Sequence, residues 1–470
     1  MPIQSINPAT GDVLRNFQPL TPEATRSRIA LAQAAFRANL EVPLEHRALW
    51  MRKLAGILED EAAELAALMT VEMGKTLASA TAEALKCAAV CRYYAENAAS
   101  ILADEPIATE QNSYIRWEPL GVILAVMPWN FPFWQVFRFL APALMAGNVG
   151  LLKHSSNVPQ CALAIEALVR RSGFPRGTFQ TLLIDSRQVE SVLSDERVAA
   201  VTVTGSEAAG RAVAAQAGWL IKRSVLELGG SDPFIVLPSS DLAAAVAAAV
   251  TSRTSNNGQS CIAAKRFIVH EDVYDSFETL FVDAMRAIKI GDPMHPETDL
   301  GPLATPQTLD DLEQQVQAAT RAGARILLGG ARIAGVGNFF PATVLTGLPR
   351  SAPVYRDEWF GPVALLFRAA SLNEAIEIAN DTPFGLGASA WTNDVVEQAR
   401  LIREIEAGQV FVNRMVASDP RLPFGGIKRS GYGRELSAVG MREFLNAKTV
   451  VIANPVQQTE IPFDTRARTS

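Results

Sequence analysis

The sequence predicts an α/β protein with two open parallel-sheet α/β domains, and three observations carry that expectation. Short apolar runs such as Gly121-Val122-Ile123-Leu124-Ala125-Val126 and Gly150-Leu151-Leu152-Lys153 read as strands buried within a sheet. Helical segments separate such runs, and the alternation restarts beyond Asp241. The length, 470 residues, exceeds what one compact core organises.

In chain order, a coil around Asn7-Pro8-Ala9-Thr10-Gly11 leads to Thr21-Pro22-Glu23-Ala24, a cap followed by Pro at the first helical position. Helices are expected from Leu44 to Thr70 and Ala78 to Leu102, then a polar crossover strand from Pro106 to Trp117. After the Gly121 and Gly150 strands, Thr181 to Ile184, Ala199 to Val203, Lys222 to Leu228 and Phe234 to Val236 continue the first series. In the second series, helix Leu242–Ser252 precedes a turn holding Cys261. Arg266 to His270, Arg325 to Leu328, Phe339 to Val344, Val363 to Phe367, Leu386 to Ala390 and Gln409 to Asn413 read as its strands. Beyond Thr449 the chain turns polar, and a flexible tail over 459–470 is expected.

Composition excludes several classes. A net charge of -6 without a basic block argues against nucleic acid as a partner. Apolar stretches such as Val122–Met127 are too short to span a bilayer, and no export signal is visible at the start. Four Cys and four His form neither a Cys-x-x-Cys nor a histidine cluster, so a reduced, cytoplasmic, metal-free protein is expected.

Cys261 differs from Cys87, Cys91 and Cys161, which lie in Ala- and Leu-rich helical patterns; it follows a polar turn, Asn256-Asn257-Gly258-Gln259-Ser260. Loops on a rigid scaffold are where nucleophiles usually sit, although an isolated cysteine is more often packing. Asn130, after Trp129, stands past a strand's carboxyl end and can donate to an oxyanion; position alone favours a turn cap. Lys153 ends a strand and is read equally as a phosphate or ribose ligand and as a surface lysine. Gly205-Ser206 opens a helix and suits an anion, though it is not the G-x-G-x-x-G fingerprint. Glu227 lies between leucines before a double glycine, where burial would raise its pKa into the range of a general base; an edge position facing solvent is the alternative. Glu358 precedes Trp359-Phe360-Gly361-Pro362, and Pro423 to Gly431 forms a glycine-shaped loop that meets a ligand or another subunit.

Together these stretches resemble the aldehyde dehydrogenase family over nearly the full chain. The likeness is carried by Asn7–Gly11, Pro128–Phe131, Thr204–Ser206, Leu226–Gly230, Gly258–Cys261, Glu358–Val363, Asn380–Gly385 and Pro423–Gly433. Within the family, Leu152-Lys153-His154 and Leu228–Phe234 resemble bacterial NAD(P)-dependent succinate-semialdehyde dehydrogenases of the shorter type. The resemblance implies an aldehyde dehydrogenase-like fold. Its cofactor domain would comprise 1–104 and 119–230 and its catalytic domain 231–430. A small β oligomerisation element of 105–118 and 440–458 would join a homodimer or homotetramer.

It also implies roles for single residues. Cys261 would be the nucleophile, Asn130 with the Cys261 backbone N–H the oxyanion site, and Glu227 the base that activates water. Glu358 would hold the nicotinamide ribose, Phe360 and Trp129 line the cofactor cleft, Lys153 the adenosine ribose, and Gly205 and Ser206 the pyrophosphate. Relatives that transfer the acyl group to coenzyme A tend to lack the glutamate, so Glu227 implies a free acid as product. Many NAD-preferring members carry Glu where Ser156 stands here, so NADP is expected to be accepted as well as NAD. Arg138, eight residues after Asn130, occupies the place of a carboxylate-binding arginine, with Phe133 and Trp134 narrowing the tunnel. The usual second arginine is Ser255, for which Arg414 or Arg421 would have to compensate. The expected substrate is succinate semialdehyde, with another short or ω-carboxylated aldehyde, such as glutarate semialdehyde, as the alternative.

Overall fold

A computed structural model describes residues 3–109 and 112–453; the expected tail over 459–470 lies outside the described residues. Two sheets dominate. The first runs through strands β1 (Val122–Met127), β2 (Val149–His154), β3 (Phe179–Thr181), β4 (Val198–Thr204) and β5 (Arg223–Glu227), in the spatial order β5-β4-β1-β2-β3, all parallel. Their Val, Ile, Leu and Ala side chains are buried, as strands covered by helices on both faces require. Because β2 lies on one side of β1 and β4 on the other, the chain reverses direction between β1 and β4, which opens a crevice at their carboxyl ends.

The second sheet holds β6 (Asp232–Val236), β7 (Ala264–His270), β8 (Arg325–Leu328), β9 (Thr343–Thr346), β10 (Val363–Ala369), β11 (Gly387–Trp391) and β12 (Gln409–Val412), in the order β8-β9-β10-β7-β6-β11-β12. Only β8 is antiparallel, on the edge. Leu445–Ile452 pairs antiparallel with Asn112–Pro119, which pairs with Glu105–Ile107, forming a separate three-stranded sheet.

Helix α1 (Leu77–Ile101) packs on α2 (Trp134–Ala146), and every residue of α2 is buried, as its apolar sequence all round demands. Glu83 of α1 sets where α2 begins: its Oε1 accepts from the backbone N–H of both Phe133 and Trp134 at 2.8 Å, donors that a helix start leaves unpaired.

Several boundaries differ from expectation, and the crossover strand expected from Pro106 to Trp117 is two strands, Glu105–Ile107 and Asn112–Pro119. The helix expected from Leu44 to Thr70 is two helices, Leu44–Asp60 and Ala62–Met73, broken at Glu61, whose carboxylate pairs with Arg171. The strand expected at Phe339–Val344 begins only at Thr343, since Pro341 has no N–H for the ladder. The one expected at Thr181–Ile184 is Phe179–Thr181, in register with Gly150–Leu152. Among the described residues no helix is long and apolar enough to cross a membrane.

Candidate active site

The carboxyl ends of β2, β1, β4 and β5 present, side by side, Lys153 and Ser156, Trp129 and Asn130, Gly205 and Ser206, and Glu227. Opposite them stands the loop between helix α4 (Leu242–Thr254) and β7, which carries Cys261. (Helix α3, Glu207–Trp219, follows Ser206.) Cys87, Cys91 and Cys161 are fully buried, whereas Cys261 is only half-buried.

The backbone before Cys261 is bent by three successive left-handed residues, Asn256 (φ 56°), Asn257 (φ 58°) and Gly258 (φ 72°). Asparagine tolerates this region better than most residues. Gly258 has no alternative, because a Cβ there would stand 2.4 Å from the Gly361 carbonyl carbon. The side chains repay the bend. Asn256 Nδ2 donates to Asn130 O (2.7 Å) and Gln259 O (3.0 Å), and Asn257 Nδ2 to Gly74 O (2.8 Å) and Pro302 O (2.9 Å). Lys265 Nζ donates to Ser260 O (2.7 Å) and Cys261 O (2.6 Å), and Arg253 to Gly258 O (2.5 Å). Sequence reasoning named Asn256 and Asn257 only as part of the turn and missed Arg253 and Lys265, for which no local signal stood out.

Asn130 is buried and donates from Nδ2 to Gln259 O at 3.0 Å, so it crosses to the loop carrying Cys261. An amide nitrogen has two hydrogens, and the second remains for an oxyanion. Burial pushes the Cys261 thiol up to about 12, opposed by the positive charges of Arg138 and Lys265. Glu227 is buried, and neither carboxylate oxygen has a hydrogen-bond partner. Burial, then the neighbouring Glu435, holds it well above the usual carboxylate range, against Arg138. It does not face solvent from an edge. The strand Gly431–Tyr432 of the glycine-shaped loop pairs with β5 there, Gly431 opposite Glu227, so that loop closes on its own chain.

Cys261 forms the common wall of two cavities. One, of about 220 Å³, runs past Trp129, Asn130, Gly205, Ser206, Glu358 and Phe360. Trp129 and Phe360 meet edge to face with centroids 5.7 Å apart. A Cβ on Gly205 would touch nothing within 4 Å, so the rim is open above the N-terminus of α3. A Cβ on Gly229 would stand 2.6 Å from Glu358 Oε2, so only glycine leaves room for that carboxylate. Glu358 accepts from Gly230 N (2.9 Å) and lies 3.7 Å from Lys265 Nζ. An open glycine rim at a helix start and an aromatic wall beside a carboxylate fit a dinucleotide. Lys153 and Ser156 lie outside this cavity, one strand further along the same edge; Ser156 is exposed.

The other cavity, of about 210 Å³, is lined by Trp134, Arg138, Ser255, Phe424, Lys86 and Ser418, among others. Phe133 does not line it. That ring stacks on Phe137 at 6.3 Å inside the helix layer, because consecutive helix positions point about 100° apart and Trp134 takes the cavity side. Arg138 faces the cavity but is ion-paired with Glu435, which the sequence reading did not anticipate. Arg414 and Arg421 do not line it; Arg421 is exposed and bound to Asp419. Among the described residues no group of three or more His, Cys, Asp or Glu could hold a metal.

A half-buried thiol in the wall between two cavities, one of them bounded by a glycine rim and an aromatic pair, on paired parallel sheets, suits a nucleotide-dependent oxidoreductase. The aldehyde dehydrogenase family model matches residues 1–450, and the chain belongs to that family. It is 59% identical over 457 residues, 96% of this chain and all of the relative, to succinate-semialdehyde dehydrogenase [NADP(+)] 1 of Mycobacterium tuberculosis. It is 58% identical to the NADP(+) succinate-semialdehyde dehydrogenase of Mycobacterium avium, over 97% of each chain. Among solved structures it is similar to succinic semialdehyde dehydrogenase of Streptococcus pyogenes in complex with NADP+. There the TM-score is 0.94 at 38% identity, covering 96% of this chain and all of the other.

Proposed function

We propose that this enzyme oxidises succinate semialdehyde to succinate with NADP, or NAD, through a cysteine thioester that water hydrolyses. The observation that carries the reading is Cys261 standing in the shared wall of the two cavities, with cations lining the second. The names of the similar enzymes agree with it.

Cys261 Sγ bonds to the aldehyde carbon while Glu227 takes the thiol proton and passes it on to solvent; with the thiol pushed up to about 12, that proton must be drawn off during attack rather than lost beforehand. Asn130 Nδ2 donates to the oxygen that gains charge. The nicotinamide, when bound, supplies the hydride acceptor, with Glu358, Lys153, Ser156, Gly205 and Ser206 as the residues that would hold the cofactor. The thioester then takes water. Glu227, high in pKa and unbonded, accepts the water's proton and returns it to the departing Sγ as the C–S bond breaks, giving the free thiol and a carboxylic acid that ionises to solvent. The protein would work in the cytoplasm as a homodimer or homotetramer joined through the three-stranded sheet.

The test is a kcat/KM panel of C2 to C6 aldehydes with and without an ω-carboxylate, against both cofactors. Succinate semialdehyde should exceed butanal by about tenfold or more, the scale of one charge-assisted contact. Equal values would overturn the substrate assignment, and undetectable NADP turnover the cofactor assignment.

A further inference from the structure

We propose that Lys86 is a specificity residue that receives the ω-carboxylate of the aldehyde, acting with the Ser418 hydroxyl in the Cys261 cavity. The proposal rests on the carboxylated-substrate reading above. Two cations line the cavity, Arg138 and Lys86. The charge of Arg138 is already answered: it is ion-paired with Glu435, Nη2 lies 3.4 Å from Thr204 Oγ1, and the guanidinium covers the Phe424 ring at 4.3 Å.

Lys86 is not so committed. Its Nζ donates to Ser418 Oγ at 2.7 Å and stands 4.3 Å from the centroid of the Trp134 ring, and among the described residues no carboxylate oxygen is within ion-pair distance. The acidic groups facing it are engaged elsewhere, Glu83 with Lys75 and Asp419 with Arg421. An ammonium has three donors, so two remain. Burial, then Arg138, pulls Lys86 down to about 8, with Cys87, Glu83 and Asp419 opposing, as expected of a cation short of a counter-charge.

Ser418 adds a second donor. Its Oγ accepts from Lys86 and, at 3.1 Å, from Trp134 Nε1, so both lone pairs are used and its own proton must point elsewhere. An ammonium and a hydroxyl converging beside an indole wall match a carboxylate at the end of a short alkyl chain. Ser255, where an arginine was expected, also lines this cavity, so Lys86 supplies from α1 the charge that Ser255 lacks.

The experiment measures kcat/KM for succinate semialdehyde and for butanal with NADP in the full-length enzyme, Lys86→Met and Lys86→Arg. Lys86→Met should lower the ratio of the two by about 10- to 100-fold, mainly through KM, and Lys86→Arg should restore most of it. A Lys86→Met ratio within about twofold of wild type overturns the clamp while leaving the substrate reading intact. A wild type without preference for succinate semialdehyde overturns both. If Lys86→Met does not fold, competitive inhibition of butanal oxidation by succinate decides: Ser418→Ala should weaken it, and unchanged inhibition overturns the clamp.

Discussion

At the cofactor edge, Gly205 has no heavy atom within 4 Å of where a side chain would begin, and Ser156 is exposed. In the loop carrying Cys261, the successive carbonyls of Gly258, Gln259, Ser260 and Cys261 each accept from a buried side chain: Arg253, Asn130 with Asn256, and Lys265. The two regions face the same reaction but are held differently. On the proposed mechanism, an edge that admits and releases a cofactor keeps its polar groups open, whereas the loop of the proposed nucleophile is held in a left-handed bend that the chain would not adopt unaided. Asn130 joins them, since it leaves a cofactor-sheet strand and bonds the nucleophile loop.

Replacing Cys261 with Ala breaks the comparison most sharply. Turnover should fall by more than about 10³-fold, because no other group in the cavity can form the thioester. NADP binding, followed by fluorescence titration, should persist, since the open edge does not depend on the thiol. Loss of binding would show that the two regions are not separable. Asn130→Ala should lower kcat by about 10² to 10³-fold, the scale of one oxyanion donor, measured on any good aldehyde.

His154 is a tight point of the otherwise open edge. His154 Nε2 lies 2.8 Å from Pro132 O, and Nδ1 accepts from Ser155 N at 2.9 Å, which requires the neutral ring protonated on Nε2. Burial holds His154 down at about 4, against 6.5 when unfolded. The unfolded chain therefore takes up this proton first as pH falls. His154 thus contributes stability that is present above about pH 6.5 and is lost on acidification towards pH 4, up to about 3 kcal/mol. Asp232, raised by burial to about 7 from 3.8, has the opposite sign: its contribution is present below pH 3.8 and fades as pH rises towards 7. Denaturant melts of wild type and His154→Gln across this range cancel the Asp232 part, and the wild type should lose more stability on acidification than the variant. Parallel curves would sink the assignment.

Last, Ser156→Glu should lower kcat/KM for NADP by about tenfold or more while NAD is much less affected, since a carboxylate repels a 2'-phosphate. An equal loss for both cofactors would place Ser156 away from the phosphate.

The strand–helix alternation was legible because two-sided burial writes continuous apolar runs, and Cys261 stood out because a polar turn preceded it. Glu227 stood out as a carboxylate between leucines, and it is buried with neither carboxylate oxygen hydrogen-bonded. Phe133 was misread because adjacency in sequence does not tell which side of a helix meets a cavity. Arg138 was read without Glu435, 297 positions away, whose pairing changes what its charge can do.

By itself, then, the sequence determined the two α/β series and the family, and it singled out Cys261 as the candidate nucleophile, since these depend on local pattern and short motifs. Only the tertiary structure decided which charges are free. Arg138 is answered by Glu435, and Lys86, an ordinary helix lysine in sequence, stands in the cavity beside Ser418, 332 positions away. The physical reason is that a charge acts through what the fold brings within a few ångströms of it, and those neighbours come from distant parts of the chain.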